Sequence, residues 1–216
     1  MSFMLKNVYF IRHAESLGNV AEVQQHAGMD LSEHGHTQAA TVALRFTKIP
    51  IDLIISSDIL RAEKTARTIA KKIGKEIIFS PLFRERKRPT RTQGIYIHSE
   101  EAKALNKTII EHFDDPNWHD SDEENFFDMR TRAREAVGFL EDCDEASILV
   151  VTHGVFLKVI IGTMIDLDIT PQQFLRLMHF LIPQNTGITW CQKGHPKAVD
   201  PNIWQMVTWN NHAHLG

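Results

Sequence analysis

The 216-residue sequence predicts a three-layer α/β/α fold with a mostly parallel sheet and one antiparallel edge strand. Three observations carry this expectation. Short runs rich in β-branched and aromatic residues alternate with longer stretches of helical periodicity, as successive βα units require. Two such runs, "DLIISS" and "ILVVTHG", pass straight into helical patterns. The last two runs are separated by the turn chemistry of Lys193, Gly194, His195 and Pro196, which predicts an antiparallel edge hairpin with a long loop.

Taken in order, the expected strands cover residues 5–11, 52–56, 76–79, 147–152, 186–191 and 203–209. After the second, Ala62, Ala66, Ile69, Ala70 and Ile73 recur at helical spacing, with Ser57 as N-cap and Gly74 as C-terminal stop. "EEAKALNKTIIEHF" reads as a helix, and the acidic, proline-bearing "DDPNWHDSDEEN" after it as a solvated loop, with a flexible lid as the alternative. "VFLKVIIGTM" reads as a helix directly after His153. In "DITPQQF", Thr170 caps, Pro171 fits the first turn and Gln173 completes a capping box. The tail "NNHAHLG" is expected to be disordered. The whole reads as one domain, residues 1–216, with a helical and loop insertion at about 90–127.

Composition narrows the partners. A formal net charge of -3 gives no field that would gather nucleic acid or an acidic membrane, so any bound anion must be gripped locally. Cys143 and Cys191 stand in no zinc-like or redox-like spacing and read as reduced packing residues. The first residues lack a basic region followed by a long apolar core, and no run of about 18 apolar residues occurs. A cytoplasmic protein is expected.

The chemistry gathers at strand ends. "NVYFIRH" and "ILVVTH" each deliver a histidine, His13 and His153, where an apolar run stops. In open α/β sheets, ligand sites lie at the carboxyl ends of strands, beside helix N-termini that offer free N–H groups. Arg12 shares that rim, and Arg61 falls in the first turn of the helix after "DLIISS". Two guanidiniums and two imidazoles brought together call for a dianion, and guanidinium forks match phosphate oxygens. A generic anion or a cofactor phosphate is the alternative guest. Cationic neighbours disfavour the protonated imidazole, which leaves His13 a lone pair and makes it a nucleophile toward phosphorus. A leaving alkoxide then needs a proton. Glu85 stands at a suitable place in the chain, although many carboxylates compete on sequence grounds. His26, His34 and His36 read as loop and helix-start residues, not as metal ligands.

These segments resemble the histidine phosphatase superfamily, the phosphoglycerate mutase-like family, over most of the chain. "FIRHAESLGN" is similar to its Arg-His-Gly-Glu-Ser/Thr signature, with Ala14 in place of the usual glycine. "LSEHGHTQA", "SSDILRAEKTARTIA" and "VVTHGVFLKVII" resemble three further family segments, in the family's order. The resemblance implies a phosphoglycerate mutase-like fold and metal-independent hydrolysis of a small phosphorylated substrate, with no cofactor. It also implies that His13 is phosphorylated, that Arg12, Arg61, His153 and Asn19 hold the phosphoryl group, and that Glu85 donates the proton.

One departure bears on activity. Where cofactor-dependent mutases carry Glu-Arg-His-Tyr-Gly at the acid, this chain reads "RERKRPTRTQG", so a phosphatase is expected ahead of a mutase. A binding module that holds a phosphorylated ligand without turnover is the rival from another class. The cluster Arg84, Arg86, Lys87, Arg88 and Arg91 reads as a solvated basic loop, with recognition of a second anionic group as the alternative. The sequence leaves the substrate and the oligomeric state open.

Overall fold

The computed structural model describes residues 5–216; residues 1–4 of the expected domain lie outside them. "KNVYFIR" forms strand β1 (Lys6–Arg12), in which Val8 and Phe10 face one helical layer and Ile11 the other, the period-two alternation of a strand buried on both sides. With β2 (Leu53–Ser56), β3 (Ile77–Phe79), β4 (Ser147–Thr152), β5 (Ile188–Lys193) and β6 (Gln205–Asn211) it builds a six-stranded sheet of order β3-β2-β4-β1-β5-β6. The first four strands are mutually parallel. β5 runs against β1 and β6 against β5, so the expected hairpin closes one edge and β5 is its reversed strand.

Helix α1 (Leu17–Val20) is a single turn, while α2 (Glu33–Phe46) and α3 (Leu60–Ile73) cover one face of the sheet. In that layer Val42, Phe46, Ala62, Ala66 and Ile69 meet Ile54, Leu149 and Val151. On the opposite face lie α4 (Glu100–Glu111), α5 (Phe126–Asp142), α6 (Gly154–Ile165) and α7 (Pro171–Phe180), around Phe10, Ile55, Ile148 and Val150. Each such fully buried aliphatic or aromatic side chain stabilises the fold by about 1.5–3 kcal/mol before chain entropy is counted. Gly74 ends α3 in the left-handed conformation at φ 67°, and the Thr170 capping box with Pro171 starts α7, both as the sequence predicts. Cys143 and Cys191 are free thiols against the second layer, and burial pushes Cys191 up to about 12.

Three expectations change. Ser57 is not the cap of α3: the helix starts at Leu60 with Ile59 in the cap position, and the Ser57 hydroxyl accepts Ile59 N–H at 3.2 Å ahead of the helix while meeting His153 Nε2 at 2.9 Å. The hairpin strands each start two residues later than expected. Thr186 turns left-handed at φ 58° to donate its N–H to the Arg12 carbonyl, and residues 201–203 remain in the turn. The tail is ordered, because Arg45 donates to Asn211 Oδ1 at 2.7 Å and the Thr186 hydroxyl meets His214 Nε2 at 3.1 Å. The acidic segment after α4 is a mostly exposed loop, as expected; Asp122 accepts from the N–H of Thr90 at 2.9 Å, and buried Glu123 accepts the N–H groups of Asp120 and Ser121. Among the described residues no helix is long and apolar enough to cross a membrane.

Candidate active site

Strand register alone makes the first contact. Arg12 pairs with Thr152 and Ser56 with Val151, and the ladders run one step further: His13 N–H donates to Thr152 O at 2.9 Å and Ser57 N–H to Val151 O at 3.0 Å. The residues that follow three adjacent parallel strands, His13, His153 and Ser57, must therefore cluster. The two imidazole centroids are 5.1 Å apart.

The hydrogen bonds of His13 decide its tautomer. Nδ1 lies 2.7 Å from the carbonyl of Ala14, which can only accept, so the proton is on Nδ1. Nε2 then holds the lone pair and receives Arg61 Nε–H at 3.2 Å. Burial, followed by the charges of Arg61 and Arg12, holds His13 well below the usual imidazole range, with the Ala14 carbonyl opposing. The ring is a neutral base with its lone pair toward a cation.

Arg61 also donates through Nη1 to His26 O at 3.2 Å; burial lowers it to about 10, with Glu85 opposing. Arg12 anchors through Nη1 on Pro183 O at 2.8 Å, and its buried Nε has no partner among the described residues. His153 is fully buried behind His13, Nε2 against the Ser57 hydroxyl at 2.9 Å and Nδ1 unpartnered. Burial and then Arg61 also push it well below its ordinary value. One ring nitrogen thus has a built-in hydroxyl partner and the other, buried, has none among the described residues.

A cavity of about 910 Å³ opens above these strand ends, lined by Arg12, His13, Asn19, Arg61 and Glu85 together with Arg84, Arg86, Lys87, Arg88 and Thr90. Glu85 enters it from the far side, held at the first turn of α6: its carboxylate accepts Val155 N–H at 3.1 Å, Phe156 N–H at 3.0 Å and Arg86 N–H at 2.9 Å. That turn is the positive end of a twelve-residue helix, a natural seat for negative charge. Asn19 spends its Oδ1 on Ser16 N–H at 3.1 Å and on Asn185 Nδ2 at 3.4 Å, which leaves its NH₂ as the free end. Five of the six predicted residues thus face the cavity, and His153 abuts it from behind His13.

The other quoted segments support this rim. Ala14 needs no positive φ and packs with Leu31 and Ala39, so the substitution for glycine is absorbed. "LSEHGHTQA" is its back wall: Ser32 Oγ donates to Glu15 Oε1 at 2.6 Å, and Glu15 N–H donates to Gln38 Oε1 at 2.9 Å. A Cβ on Gly35 would fall 1.9 Å from the Glu15 carbonyl, so only glycine lets α2 approach so closely. Three supporting residues escape sequence reasoning. Ser57 is legible only as a cap. Thr65, one turn beyond Arg61, accepts Ala14 N–H at 3.0 Å, and Asn185 donates to His13 O at 2.8 Å. The i+4 spacing of Arg61 and Thr65 was the available signal for the second; for Asn185 there is none. Among the described residues no group of three or more His, Cys, Asp or Glu is placed to share a metal, and His26 serves through its backbone carbonyl.

The chain is similar to known proteins over most of its length. The family model described as histidine phosphatase superfamily (branch 1) matches residues 8–212. The probable phosphoglycerate mutase GpmB of Photorhabdus laumondii is 34% identical over 177 residues, spanning 79% of this chain and 80% of the relative. The protein of the same description from Escherichia coli O1:K1 is 30% identical over 173 residues, with the same coverage. Among solved structures, phosphoserine phosphatase of Entamoeba histolytica in complex with 3-phosphoglyceric acid is similar with a TM-score of 0.76 at 25% identity, over 98% of this chain and 100% of that one. Mycobacterial glucosyl-3-phosphoglycerate phosphatase with inorganic phosphate gives 0.77 at 20%, again over 98% and 100%.

Proposed function

This chain belongs to the histidine phosphatase superfamily, branch 1, and on that premise we propose that it hydrolyses phosphomonoesters through a phosphohistidine on His13, with Glu85 as proton donor. The observation that carries the reading is the locked tautomer of His13: Nδ1–H on the Ala14 carbonyl and the Nε2 lone pair at the cavity beside Arg61.

In the first step the phosphoryl group displaces Nε2 as the partner of Arg61, whose N–H turns to a phosphoryl oxygen. Arg12, the Asn19 amide and His153 Nδ1 complete the cradle. Nε2 attacks phosphorus, the bond from phosphorus to the leaving oxygen breaks, and that oxygen takes from Glu85 the proton that its carboxylate first received from the incoming phosphate monoanion. The phosphorylated ring keeps Nδ1–H on the Ala14 carbonyl, which steadies its positive charge. In the second step water gives a proton to the Glu85 carboxylate and attacks phosphorus. The P–N bond breaks, its electron pair returns to Nε2, and phosphate leaves. The guanidiniums act throughout on charge developing at the non-bridging oxygens.

Rapid-quench labelling tests this with a chromogenic aryl phosphate. Wild type accumulates acid-labile, alkali-stable phosphoprotein; His13→Ala forms none and loses at least about a thousandfold in turnover. If His13→Ala hydrolyses the ester at the wild-type rate, the mechanism is wrong. A mutase is the second reading, favoured by the description of the relatives at 34% and 30% identity. It predicts label passing to an added phosphoacid acceptor faster than inorganic phosphate is released. Stable retention of an unhydrolysed phosphate ester would instead mark a binding module.

A further inference from the structure

The turn that leads into β5 touches the proposed site at three residues. Pro183 O accepts Arg12 Nη1 at 2.8 Å, and Thr186 N–H donates to Arg12 O at 2.9 Å. Between them the Asn185 side-chain amide donates to His13 O at 2.8 Å and to Asn19 Oδ1 at 3.4 Å. β5 is the antiparallel neighbour of β1, so the residues just before it lie beside those just after β1. This turn is strained. Thr186, β-branched and fully buried, sits at φ 58°, a region such residues rarely occupy. Strain of this kind persists only where the surroundings over-determine it. They do so from behind: Gln184 N–H donates to Asn210 Oδ1 at 2.8 Å, Asn210 Nδ2 donates to Ile182 O at 3.0 Å, and the Thr186 hydroxyl meets His214 Nε2 at 3.1 Å. A Cβ on Gly187 would fall 2.0 Å from Asn210 Oδ1, so the end of β6 is pressed directly against the turn.

The hydrogen bonds fix which way Asn185 faces. Its NH₂ meets two acceptors, the His13 carbonyl and Asn19 Oδ1; turned over, its oxygen would oppose both. Asn19 is fixed likewise, because Ser16 N–H and the Ser16 hydroxyl also point at its Oδ1, at 3.1 and 2.9 Å. His13 stands one residue past the end of β1. Its N–H still reaches Thr152 O at 2.9 Å, while its carbonyl, beyond the ladder, takes the Asn185 amide instead. One NH₂ group thus joins the main chain of His13 to a side chain that faces the cavity, although Asn185 itself does not line it.

We infer that Asn185 is a positioning residue for the phosphohistidine chemistry: it holds the His13 main chain where the β1 ladder stops and ties it to Asn19, so that the nucleophile and the phosphoryl-holding amide keep one spacing. The inference rests on the phosphatase reading and adds to it a residue that touches neither the phosphoryl group nor the leaving group.

The test reads Asn185→Ala and Asn185→Asp by rapid-quench labelling with an aryl phosphate, by calorimetry with inorganic phosphate and by thermal melts. Positioning predicts that phosphoprotein formation slows about tenfold or more in Asn185→Ala, as a nucleophile misplaced by a fraction of an ångström does. The Kd for inorganic phosphate changes less than about threefold, because the guanidiniums of Arg12 and Arg61 still hold it. Asn185→Asp keeps the shape but turns oxygens on two acceptors, and loses more than Asn185→Ala. Asn19→Ala combined with Asn185→Ala loses less than the product of the single losses, since one acts partly through the other. A lower melting temperature with an unchanged labelling rate, rate and phosphate affinity falling by the same factor, or equal losses in the alanine and aspartate variants would each overturn the inference. If neither variant folds, or if wild type forms no phosphoprotein and the phosphatase reading fails, NMR of the wild-type protein still decides. Added inorganic phosphate then shifts the side-chain amide signals of Asn19 and leaves those of Asn185 slow to exchange and unmoved. A shifted or fast-exchanging Asn185 amide, or an unmoved Asn19 amide, overturns it.

Discussion

The cavity has two walls built by different means. Its floor is a product of main-chain register: β1, β4 and β2 end level, and ladder hydrogen bonds place His13, His153 and Ser57 together before any side chain is chosen. The outer wall, residues 84–125, is held by side chains: Arg84 to Asp58, Lys87 and Thr90 to Asp122, Arg91 to Asp120, His119 to Asp128. The floor is buried, where screening is weak, and the wall is exposed, where each ion pair contributes about 0–1 kcal/mol. On the proposed mechanism the chemistry falls on the backbone-defined floor, and contact with the rest of the substrate on the side-chain-defined wall.

The sharpest way to break the floor is from behind. In Gly35→Ala the new Cβ meets the Glu15 carbonyl, a backbone atom that cannot swing aside, so the segment carrying His13 must move. Overpacking of this kind costs about 1–3 kcal/mol, and a chain of this size then melts roughly 3–10 °C lower. Displacing His13, the proposed nucleophile, by even 1 Å costs about a hundredfold in rate. Turnover of aryl phosphate and a thermal melt check both; wild-type turnover would show that the approach of α2 to Glu15 does not position the site.

Acid separates the walls next. His13 and His153 are held well below the ordinary imidazole range, first by burial and then by Arg61, so the folded state keeps them neutral while the unfolded chain protonates near pH 6.5. Their folded values being lowered, stability is full above about pH 6.5 and falls as the pH drops below it. The slope is up to about 1.4 kcal/mol per pH unit for each ring. His214, lowered to about 4 by burial and then Arg45, adds in the same direction. In the outer wall the sign reverses. The hydrogen bond to Asp128 raises His119, so that contact is intact below the unfolded value and is lost as pH rises through the folded one. Urea midpoints at pH 7.5, 6.5 and 5.5 should fall in that order, while ring-proton shifts show His119 titrating above 6.5 and His13 not titrating in that range. A flat urea series would contradict the neutral, buried pair.

The same division explains what could be read in advance. The floor was legible because parallel strands of adjacent βα units end on one side, so Arg12, His13, Arg61 and His153 could be grouped without knowing any distance. His153 standing behind His13 was not legible, since depth depends on side-chain packing. Ser57 was misread because a serine before a helical pattern looks like a cap, while its hydroxyl answers to His153, 96 positions away. The ordered tail depends on Arg45 and Thr186, and the pairing of Arg84, Arg91 and Lys87 on Asp58, Asp120 and Asp122; such partners are set by tertiary approach, which no local pattern encodes. Glu85 lay between these cases. Its chain position suggested the rim, and only the first turn of α6 distinguishes it from the other acids.

The smallest expected effect sharpens the contrast most. Asp122 accepts from Thr90 N–H and hydroxyl at 2.9 and 2.5 Å and faces Lys87 Nζ at 3.3 Å, joining the strip that carries Arg86 and Arg88 to the acidic loop. These bonds, first those from Thr90, hold its carboxyl below the usual range, so the link is intact above about pH 4 and weakens as the pH falls further. Being solvent-exposed, it contributes little to global stability, and Asp122→Ala should shift the melting temperature by less than about 2 °C. Its loss frees the strip rather than the fold, so the Michaelis constant for an aryl phosphate should rise about two- to threefold with kcat unchanged. Raising wild type to 0.5 M salt should imitate the variant, because screening acts on the same exposed contacts and spares the buried floor. If Asp122→Ala or salt instead depresses kcat, the two walls are mechanically one, and the division between a rigid chemical floor and an adjustable outer wall is wrong.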